Sequence, residues 1–446
     1  MDEYKNNELH LHTDASLSDG AQTVCEAVDA AIACGAEAVA ITDHGVCANW
    51  LDFLNYCNGM EVNHKAAERK IKGILGVEAY IVEDIFPENL TITGKQIRQH
   101  LVVLAKNYAG MQDIARFVTE CNRNLDTMKK PIGTFSMVKE ILGKGNVVVM
   151  SACMAGVLAT PLRYNDFLDE EIRKIEKRIE RSYQSLPDDI IEVKKRDERA
   201  QKRIAKRLDK INAMRPIAEK TYKTAKTAIK KLDDPEKAKY LLEKLALEEI
   251  ETKEAKKATK ELRAEIAAIK AENGYKENHA IIMKNKEKFK KIDAKREDIA
   301  SLEKAKKIDA EMYAAAKKVA NAYKDVFGDD FYAEVQYHGI EAEERVFPQI
   351  VSIAKELDIK LVATNDVHFA KKGDHIKRNY LRVAGAMKYG WSDYEDFDKE
   401  LYYKTGEEKA EILRKILSEE AVCKALESIK EVTDKCNVSL SDEKHY

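Results

Sequence analysis

The sequence lacks the segments that export a protein or anchor it in a membrane. Its first residues, Met1 to Glu8, are polar and acidic with no apolar run behind them, so we predict no signal peptide. No stretch approaches the roughly 18 apolar residues that a membrane span needs. The eight cysteines form no C-x-x-C pair and lie mostly in apolar helical patterns. These absences predict a cytoplasmic protein with reduced core thiols and no membrane partner.

Several common enzyme motifs are also missing. Gly94-Lys95 and Gly143-Lys144 lack the flanking glycine of a P-loop, and the sequence shows neither a Ser-His-Asp order nor a kinase motif. Nucleotide hydrolysis through a P-loop is therefore not expected.

Charge is abundant but unevenly distributed. Charged residues make up 35% of the 446-residue chain, and the formal net charge is only −2. Residues 171–320 carry 42 Lys and Arg against 29 Asp and Glu, a net charge of +13, which leaves −15 on the remainder. We interpret this as a basic segment inserted into an acidic globular body.

Short apolar runs alternate with helical patterns in the acidic part of the chain. Interleaved strands and helices predict an α/β fold with a parallel sheet or barrel. Seven runs are predicted to be strands: Glu8–His12, Ala38–His44, Lys72–Val82, His100–Lys106, Asn146–Cys153, Phe331–His338 and Lys360–Phe369.

The basic segment has helical periodicity and few glycines or prolines. Its apolar residues are spaced by three and four, as in Ile204, Leu208 and Ile211, and Pro187 and Pro235 punctuate it. We expect several long antiparallel helices that form a coiled-coil arm over residues 166–310. Such an arm could mediate self-association or partner docking, or guide nucleic acid, or simply present a solvated charged face.

Two histidines near the start of the chain have the spacing of a chelating pair. His10 and His12 lie two apart in a predicted strand, so both imidazoles point to the same side. An H-x-H pair also occurs by chance, and Asp19 follows in a loop where aspartate is common. The pair therefore indicates a metal site only if the ends of other strands also carry histidines or carboxylates.

Two further predicted strands do end in an acid and a histidine. Asp43-His44 follows one of them and Asp366-x-His368 closes another. Active groups of parallel α/β folds collect at such strand ends, so we expect these residues to meet His10 and His12.

Three more polar residues interrupt apolar strands, where burial would be costly without a partner. They are Glu78, His100 and Cys153. A divalent metal would supply that partner: thiolate with imidazole favours zinc, while the carboxylates also admit manganese or iron. The remaining histidines are interpreted as surface or structural residues, with His338 the least secure: His64, His279, His338, His375 and His445.

Together these motifs resemble the PHP (polymerase and histidinol phosphatase) domain, and most closely the N-terminal domain of bacterial DNA polymerase III alpha subunits. The resemblance covers roughly residues 6–165 and 310–440. It includes the segments beginning at His100 (HLVVLAKN), Phe331 (FYAEVQ), Glu343 (EERV), Tyr402 (YYKTGEE) and Ala425 (ALESIKEVTDKCN).

The resemblance implies a distorted seven-stranded TIM-like (β/α)7 barrel, with the coiled-coil arm as an insertion. It divides the chain into a first barrel part (1–165), the arm (166–310), a second barrel part (311–400) and a helical tail like the polymerase linker (401–446). It also implies up to three divalent metals (Zn, Mn or Fe). His10, His12, Glu78 and Asp366 would hold the first ion, Glu78, His100 and Cys153 the second, and Asp19, His44 and His368 the third.

The function implied is metal-dependent hydrolysis of phosphate esters, with 3′–5′ exonuclease or proofreading-type trimming of DNA as the leading hypothesis. Asp43, beside His44, would orient a ligand. The chain ends at Tyr446, about where a polymerase palm would begin, so we do not expect it to polymerise DNA by itself. Two alternatives remain: a phosphatase for small phosphate monoesters, and a non-catalytic, metal-stabilised module that assembles with a separate polymerase or replisome protein.

Overall fold

A computed structural model of the chain describes residues 3–17, 19–82, 91–92, 95–125, 130–184, 186–213, 226–227, 235–272, 274–389 and 399–439. The contacts between residues divide the chain into two compact units. The first comprises Met1–Glu171 and Leu302–Tyr446, and the second comprises Ile172–Ser301. No helix in the described part of the chain is both long and apolar enough to cross a membrane.

A mixed β-sheet forms the centre of the first unit. The described strands are β1 (Ala38–Ile41), β2 (Lys72–Val82), β3 (Thr91–Ile92), β4 (Lys95–Gln96), β5 (Gln99–Ala105), β6 (Gly133–Thr134), β7 (Val147–Met150), β8 (Phe331–Val335) and β9 (Lys360–Ala363). Seven of them form one sheet in the order β1-β2-β5-β7-β8-β9, with β6 paired to β2, while β3 and β4 form a separate ribbon.

The sheet is mostly parallel, as expected, except at β5. This strand runs antiparallel to both of its neighbours, β2 and β7. The connection from β2 to β5 contains the antiparallel pair β3–β4 rather than a described crossover helix, so the chain returns beside β2 in the opposite direction. At this strand the structure departs from the parallel sheet predicted from the sequence.

The segment Glu8–His12 connects the two edges of the sheet. The backbone N–H of Ala40 donates to Glu8 O (2.8 Å) on the β1 side, and the N–H of Val367 donates to His10 O (2.9 Å) on the β9 side. The segment makes isolated bridges instead of the regular strand that we predicted, and β6 supplies the seventh strand. The curled α/β sheet agrees with the TIM-like architecture predicted from the sequence.

Helices cover the sheet and form the second unit. They are α1 (Val24–Ala33), α2 (Trp50–Cys57), α3 (Tyr108–Arg123), α4 (Phe135–Met137), α5 (Ala159–Leu162), α6 (Tyr164–Gln184), α7 (Asp188–Ala213), α8 (Pro235–Glu272), α9 (Tyr275–Lys284), α10 (Lys286–Ala305), α11 (Asp309–Phe327), α12 (Glu341–Glu356), α13 (His375–Tyr389), α14 (Gly406–Leu413) and α15 (Glu419–Lys435). One turn of π-helix, Val138–Leu142, follows α4.

The strand sequences explain why the sheet is buried. β1 (AVAI), β7 (VVVM) and β8 (FYAEV) are buried at every residue, as in sheets covered by helices on both faces. The C-terminal helix α15 packs along β9 and begins at an N-cap, where the Ser418 hydroxyl accepts a hydrogen bond from the N–H of Ala421. Glu334, inside the fully buried β8, is the exception that leads to the site.

The second unit is helical with a thin apolar interior. One buried cluster joins Leu186, Phe289 and Ile292, and another joins Ala200, Ile204 and Ile269. Leu208, which we placed in the coiled-coil seam, is 45% exposed. The helices predicted for this segment are present among its described residues, while the coiled-coil arm and the domain boundaries remain predictions.

Candidate metal centre

The predicted site residues converge at one end of the sheet. His10 and His12 lie on the segment that joins the sheet edges, and His44 follows β1, where it bridges to Glu78 of β2. His100 comes from β5, and Cys153 comes from the loop after β7. Asp366 and His368 lie in the turn after β9, and Asp19 lies in an early loop.

His10, His12 and Asp366 form the most buried part of the site. The Nε2 atoms of both histidines lie 3.2 Å from Asp366 Oδ1 and 3.2 Å from each other. Glu78 closes this group, with Oε1 3.2 Å from His10 Nε2 and Oε2 3.3 Å from His12 Nε2. Asp366 has a φ of +49°, a left-handed conformation that is uncommon outside glycine and that recurs at functional sites.

Glu78 also faces the second group. Its Oε1 lies 2.9 Å from His100 Nδ1. The Cys153 sulfur lies 3.9 Å from the same carboxylate oxygen and 3.8 Å from His100 Nδ1. The glutamate therefore stands between the two groups, and its Oε1 contacts a histidine of each.

Asp19 joins the third group. Its Oδ2 lies 2.9 Å from His44 Nε2 and 3.2 Å from His368 Nε2. The guanidinium of Arg378, which is 7% exposed, donates from Nη2 to the other oxygen, Oδ1, at 2.6 Å. Arg378 leaves only one carboxylate oxygen of Asp19 directed at the histidines.

The donor atoms fit divalent cations. Three sets could each hold an ion, with all ligand atoms within 4.8 Å of one another: His10, His12 and Asp366; His44, Glu78 and His100; His12, His44 and His368. Within the described residues, His44 Nδ1, Glu78 Oε2 and Asp366 Oδ1 are buried and make no hydrogen bond. They face ligand atoms of neighbouring residues, as His44 Nδ1 and Glu78 Oε2 do at 2.7 Å, and cations held by these sets would satisfy them.

The electrostatics of the site keep its carboxylates charged. Burial by itself would raise the pKa of Glu78, but the neighbouring His100, His10 and His44 outweigh it and hold that pKa well below its usual range. Burial likewise opposes ionisation of Asp366, yet His10 and His368 lower its pKa. Burial, Asp366 and Glu78 raise the pKa of the Cys153 thiol, so this residue becomes a thiolate ligand only with a cation beside it.

Asp43 takes a different position from the ligand candidates. Its carboxylate accepts hydrogen bonds from Thr13 N (2.6 Å), Thr13 Oγ1 (2.7 Å) and Ser16 Oγ (2.7 Å). Ser16 Oγ in turn lies 3.0 Å from His12 Nδ1 and accepts from the backbone N–H of His44. Asp43 thus acts on the ring of His12 and the backbone of His44 through Ser16, whose loop it holds in place.

Three residues that contact the site were not predicted from the sequence. Glu334 Oε1 lies 2.7 Å from His10 Nδ1 and also accepts a hydrogen bond from Gln336 Nε2 at 2.7 Å. Glu334 lies in the otherwise apolar strand FYAEV and Gln336 follows it two residues later, and that spacing was the available signal. Arg378 had no such signal, because it lies in an amphipathic helix among other basic residues.

The histidines set aside at the sequence level are scattered. The His64 side chain is 99% exposed, and His375 is a surface residue that contacts Lys372 O. His338 is buried, with Nδ1 2.7 Å from Glu343 Oε1, and it lines the same cavity as the metal-ligand candidates. The side chain of His279 and the whole of His445 lie outside the described residues.

A cavity of about 250 Å³ gives access to the site. Basic side chains contribute to its wall at Arg163 and Arg378. The candidate ligands exposed in the cavity are Asp19, His44, His100, Cys153, Asp366 and His368. A small anionic group can therefore reach the region where these side chains converge.

Comparison with known proteins agrees with this geometry. The PHP domain family matches residues 8–196 of the chain, which confirms the resemblance inferred from the sequence. DNA polymerase III subunit alpha of Campylobacter jejuni is 34% identical over 134 residues, which is 30% of this chain and 11% of the relative. The same subunit of Helicobacter pylori (strain 26695) is 33% identical over 147 residues, which is 32% of this chain and 12% of the relative. The matched region thus spans about an eighth or less of these relatives.

Proposed function

We propose that the chain is a metal-dependent phosphoesterase that hydrolyses phosphodiester bonds in DNA, with removal of nucleotides from the 3′ end as its preferred reaction. The observation that carries the proposal is the convergence of five histidines and three carboxylates at one end of the sheet, several of them lining one cavity: His10, His12, His44, His100, His368, Glu78, Asp366 and Asp19. This ligand chemistry matches that of the PHP domain, whose sequence match includes most of these residues.

Each group of residues would have a separate task. One ion would be held by His10, His12, Glu78 and Asp366. A second would be held by Glu78, His100 and Cys153, and a third by Asp19, His44 and His368. Bound divalent cations would lower the pKa of a water molecule and stabilise charge on the phosphate oxygens. Zinc, manganese and iron are all compatible with a donor set of nitrogen, oxygen and one sulfur.

The protein itself positions these ligands. Glu334 fixes the ring of His10, and Asp43 acts through Ser16 on the ring of His12 and the backbone of His44. Arg378 fixes the carboxylate of Asp19. The apolar strands around these groups exclude water from the buried side of the site, which strengthens every interaction with charge.

DNA is the favoured substrate because the similar proteins are DNA polymerase III alpha subunits and because residues 171–320 have a net charge of +13. We further propose that residues 1–165 and 311–400 form the two parts of the PHP barrel, that residues 166–310 form an inserted arm, and that residues 401–446 form a tail. A separate polymerase or another replisome protein would then be its partner.

The test is nucleotide release from DNA labelled at either the 3′ or the 5′ end, with single strands and mismatched primers, in Mn²⁺ or Zn²⁺. The wild type is compared with His12→Ala and Asp366→Ala, which each remove a ligand of the most buried group. Release from the 3′ end that both substitutions abolish supports the proposal. Release that survives both substitutions overturns it, because it would come from a contaminant or from another site.

A small phosphate monoester is the second candidate substrate, since a cavity of about 250 Å³ accommodates one. Hydrolysis of p-nitrophenyl phosphate without any release from DNA would favour this reaction. Metal binding with neither reaction, together with copurification of a polymerase, would favour a metal-stabilised assembly module instead.

A further inference from the structure

Five lysines stand close together at the junction of α9 and α10 in the second unit. Lys284 is the last residue of α9, and the other four occupy the first six positions of α10. All five side chains are exposed, and Glu287 is the one acid among residues 284–291. We call this set the lysine patch: Lys284, Lys286, Lys288, Lys290 and Lys291.

The lysine patch differs from other basic residues of the same unit, several of which are paired with acids between helices. Arg207 Nε lies 2.7 Å from Glu265, and Arg296 Nη1 lies 3.0 Å from Glu198. Within the part of the chain that the structure describes, none of the five patch lysines has such an ion pair or a side-chain hydrogen bond. Their charge is therefore available to a partner.

Helix stability does not explain the four lysines at the start of α10. The N-terminus of a helix carries a partial positive charge, so cations there are slightly unfavourable even at an exposed site. Lys286 and Lys290 are also a like-charged pair four residues apart on one helix, which adds a similar penalty. A bound polyanion would offset both effects.

The apolar side of α10 fixes the direction of the patch. Phe289 and Ile292 are buried against Leu186 in the interior of the unit. Lys290 and Lys291 lie on the opposite side of this helix at its period of 3.6 residues, and Lys286 and Lys288 flank them. The arrangement presents several ammonium groups on one short exposed surface, as a contact to successive phosphates requires.

We propose that the lysine patch binds the phosphate backbone of DNA without reading its sequence. Ammonium groups contact phosphates as point charges and carry no base recognition by themselves. The inference extends the proposed function, because it names where that substrate contacts the second unit, but the binding itself needs no metal.

The test is binding of the full-length chain to a fluorescein-labelled single strand and its duplex, followed by fluorescence anisotropy over a series of NaCl concentrations with EDTA present. All five patch lysines are replaced by glutamine in one variant. If three or more of them contact phosphates, affinity at about 0.1 M salt falls roughly 100-fold or more, and the slope of log K against log salt becomes shallower by about 2 to 3.

A matched control removes the same charge from the same unit. It carries glutamine at five exposed lysines of α7 and α8: Lys202, Lys206, Lys210, Lys256 and Lys260. Circular dichroism establishes that both variants keep their helices. The proposal requires that the control binds DNA much more tightly than the patch variant. Equal losses of affinity in the two variants would show an effect of net charge and overturn the proposal. A patch variant that binds DNA as tightly as the wild type would also overturn it, and an acidic protein would then be the candidate partner.

Failure of this proposal is distinguishable from failure of the proposed function. If the wild type binds DNA through the patch but releases no nucleotide, the patch stands and the exonuclease does not. If nucleotides are released and the patch variant binds DNA like the wild type, the exonuclease stands and the patch does not.

Discussion

His10 Nδ1 lies 2.7 Å from Glu334 Oε1, and both side chains are fully buried. The contact leaves His10 Nε2 facing Asp366 and Glu78. Glu334 thus determines which ring nitrogen of His10 is turned toward the candidate metal position. A carboxylate behind a histidine ligand also makes the ligating nitrogen a stronger donor.

Replacing Glu334 by glutamine should weaken metal binding. The amide keeps the size of the side chain but loses the negative charge that orients His10, and loss of such a partner costs about 10- to 100-fold in metal affinity. Isothermal titration of the metal-free protein with Zn²⁺ or Mn²⁺ measures the change. In thermal unfolding the metal-free variant should be somewhat less stable, because the substitution removes the charge of one partner of the buried His10–Glu334 pair.

Glu343 offers a matched control for this substitution. It is equally buried and contacts His338 Nδ1 at the same 2.7 Å, but His338 belongs to none of the three candidate ligand sets. Glu343→Gln should therefore bind metal with an affinity close to that of the wild type. Equal losses in the two variants would indicate a general packing defect and contradict the assigned role of Glu334.

How far the sequence predicts this site depends on how local each signal is. His10 and His12 share one segment, and Asp366 and His368 share one turn, so spacing alone places each pair on one side. Most of the chelating groups could be inferred because they lie at the end of an apolar run or interrupt one. Glu334 was visible as an acid in an apolar strand, but its partner is more than 300 residues away and no local pattern connects them.

The same reasoning explains what was mispredicted in the fold. Periodicity located β5, but strand direction depends on the connection that precedes it, and apolar alternation carries no information about direction. Glu8–His12 has the composition of a strand, whereas its hydrogen bonds alternate between two neighbours at the sheet edges. Both features depend on residues far away in sequence.

Arg378→Gln should reduce the number of metals bound. The guanidinium donates to Asp19 Oδ1 at 2.6 Å and to the Asp19 carbonyl at 3.2 Å, and without it the carboxylate can rotate away from His44 and His368. Metal content after gel filtration, measured by inductively coupled plasma mass spectrometry, should fall by up to one ion per chain. The ions near His10 and His100 should remain.

The control for Arg378 is Arg345→Gln. Arg345 also binds a carboxylate through its guanidinium, with Nη2 2.6 Å from Asp166 Oδ2, but neither residue belongs to a candidate ligand set. An unchanged metal content in Arg378→Gln, or the same decrease in both variants, would contradict the role given to Arg378.

A buried ion pair connects Glu8, which precedes the candidate ligands His10 and His12, with Lys409 of α14. Lys409 Nζ lies 3.5 Å from Glu8 Oε2 and donates to Asn7 O at 2.7 Å, and both side chains are almost fully buried. Glu8 Oε1 also accepts from the backbone N–H groups of His10 and Asn365. Lys409→Met should lower the free energy of unfolding by about 3 to 5 kcal/mol, because it leaves the Glu8 charge buried without a partner.

Urea denaturation with a second substitution distinguishes loss of charge pairing from loss of packing. The double variant Lys409→Met with Glu8→Gln should recover much of the stability, since an amide oxygen still accepts the backbone N–H groups and no lone charge remains. Lys415→Met, at an exposed lysine of the same region, should change stability by no more than about 0.5 kcal/mol. A double variant as unstable as the single one would show that packing of Lys409 is responsible.

The stabilising contacts at the junction of α15 with β8 and β9 should weaken in acid. Glu431 accepts hydrogen bonds from Lys360 Nζ (2.7 Å) and Tyr332 OH (2.8 Å), and Lys435 Nζ lies 3.1 Å away. Partial burial opposes ionisation, but these donors outweigh it and lower the pKa of Glu431 from 4.5 to about 2. The folded state therefore favours the charged form more than the unfolded state does.

The direction of the pH effect follows from that shift. A carboxyl whose pKa is lowered on folding stabilises the protein above its unfolded value, and the contribution disappears as pH falls through the folded value. Glu431→Gln should cost about 1 kcal/mol at neutral pH, a modest figure because the side chain is 34% exposed and the pairs are screened by solvent. The difference between wild type and variant should shrink between pH 4.5 and about 2, as measured by urea denaturation at each pH. Glu427 is exposed one turn earlier in the same helix, so Glu427→Gln should change the free energy of unfolding little at any of these pH values. If the difference in free energy between wild type and Glu431→Gln stays constant with pH, the hydrogen-bond donors of Glu431 act through packing rather than charge.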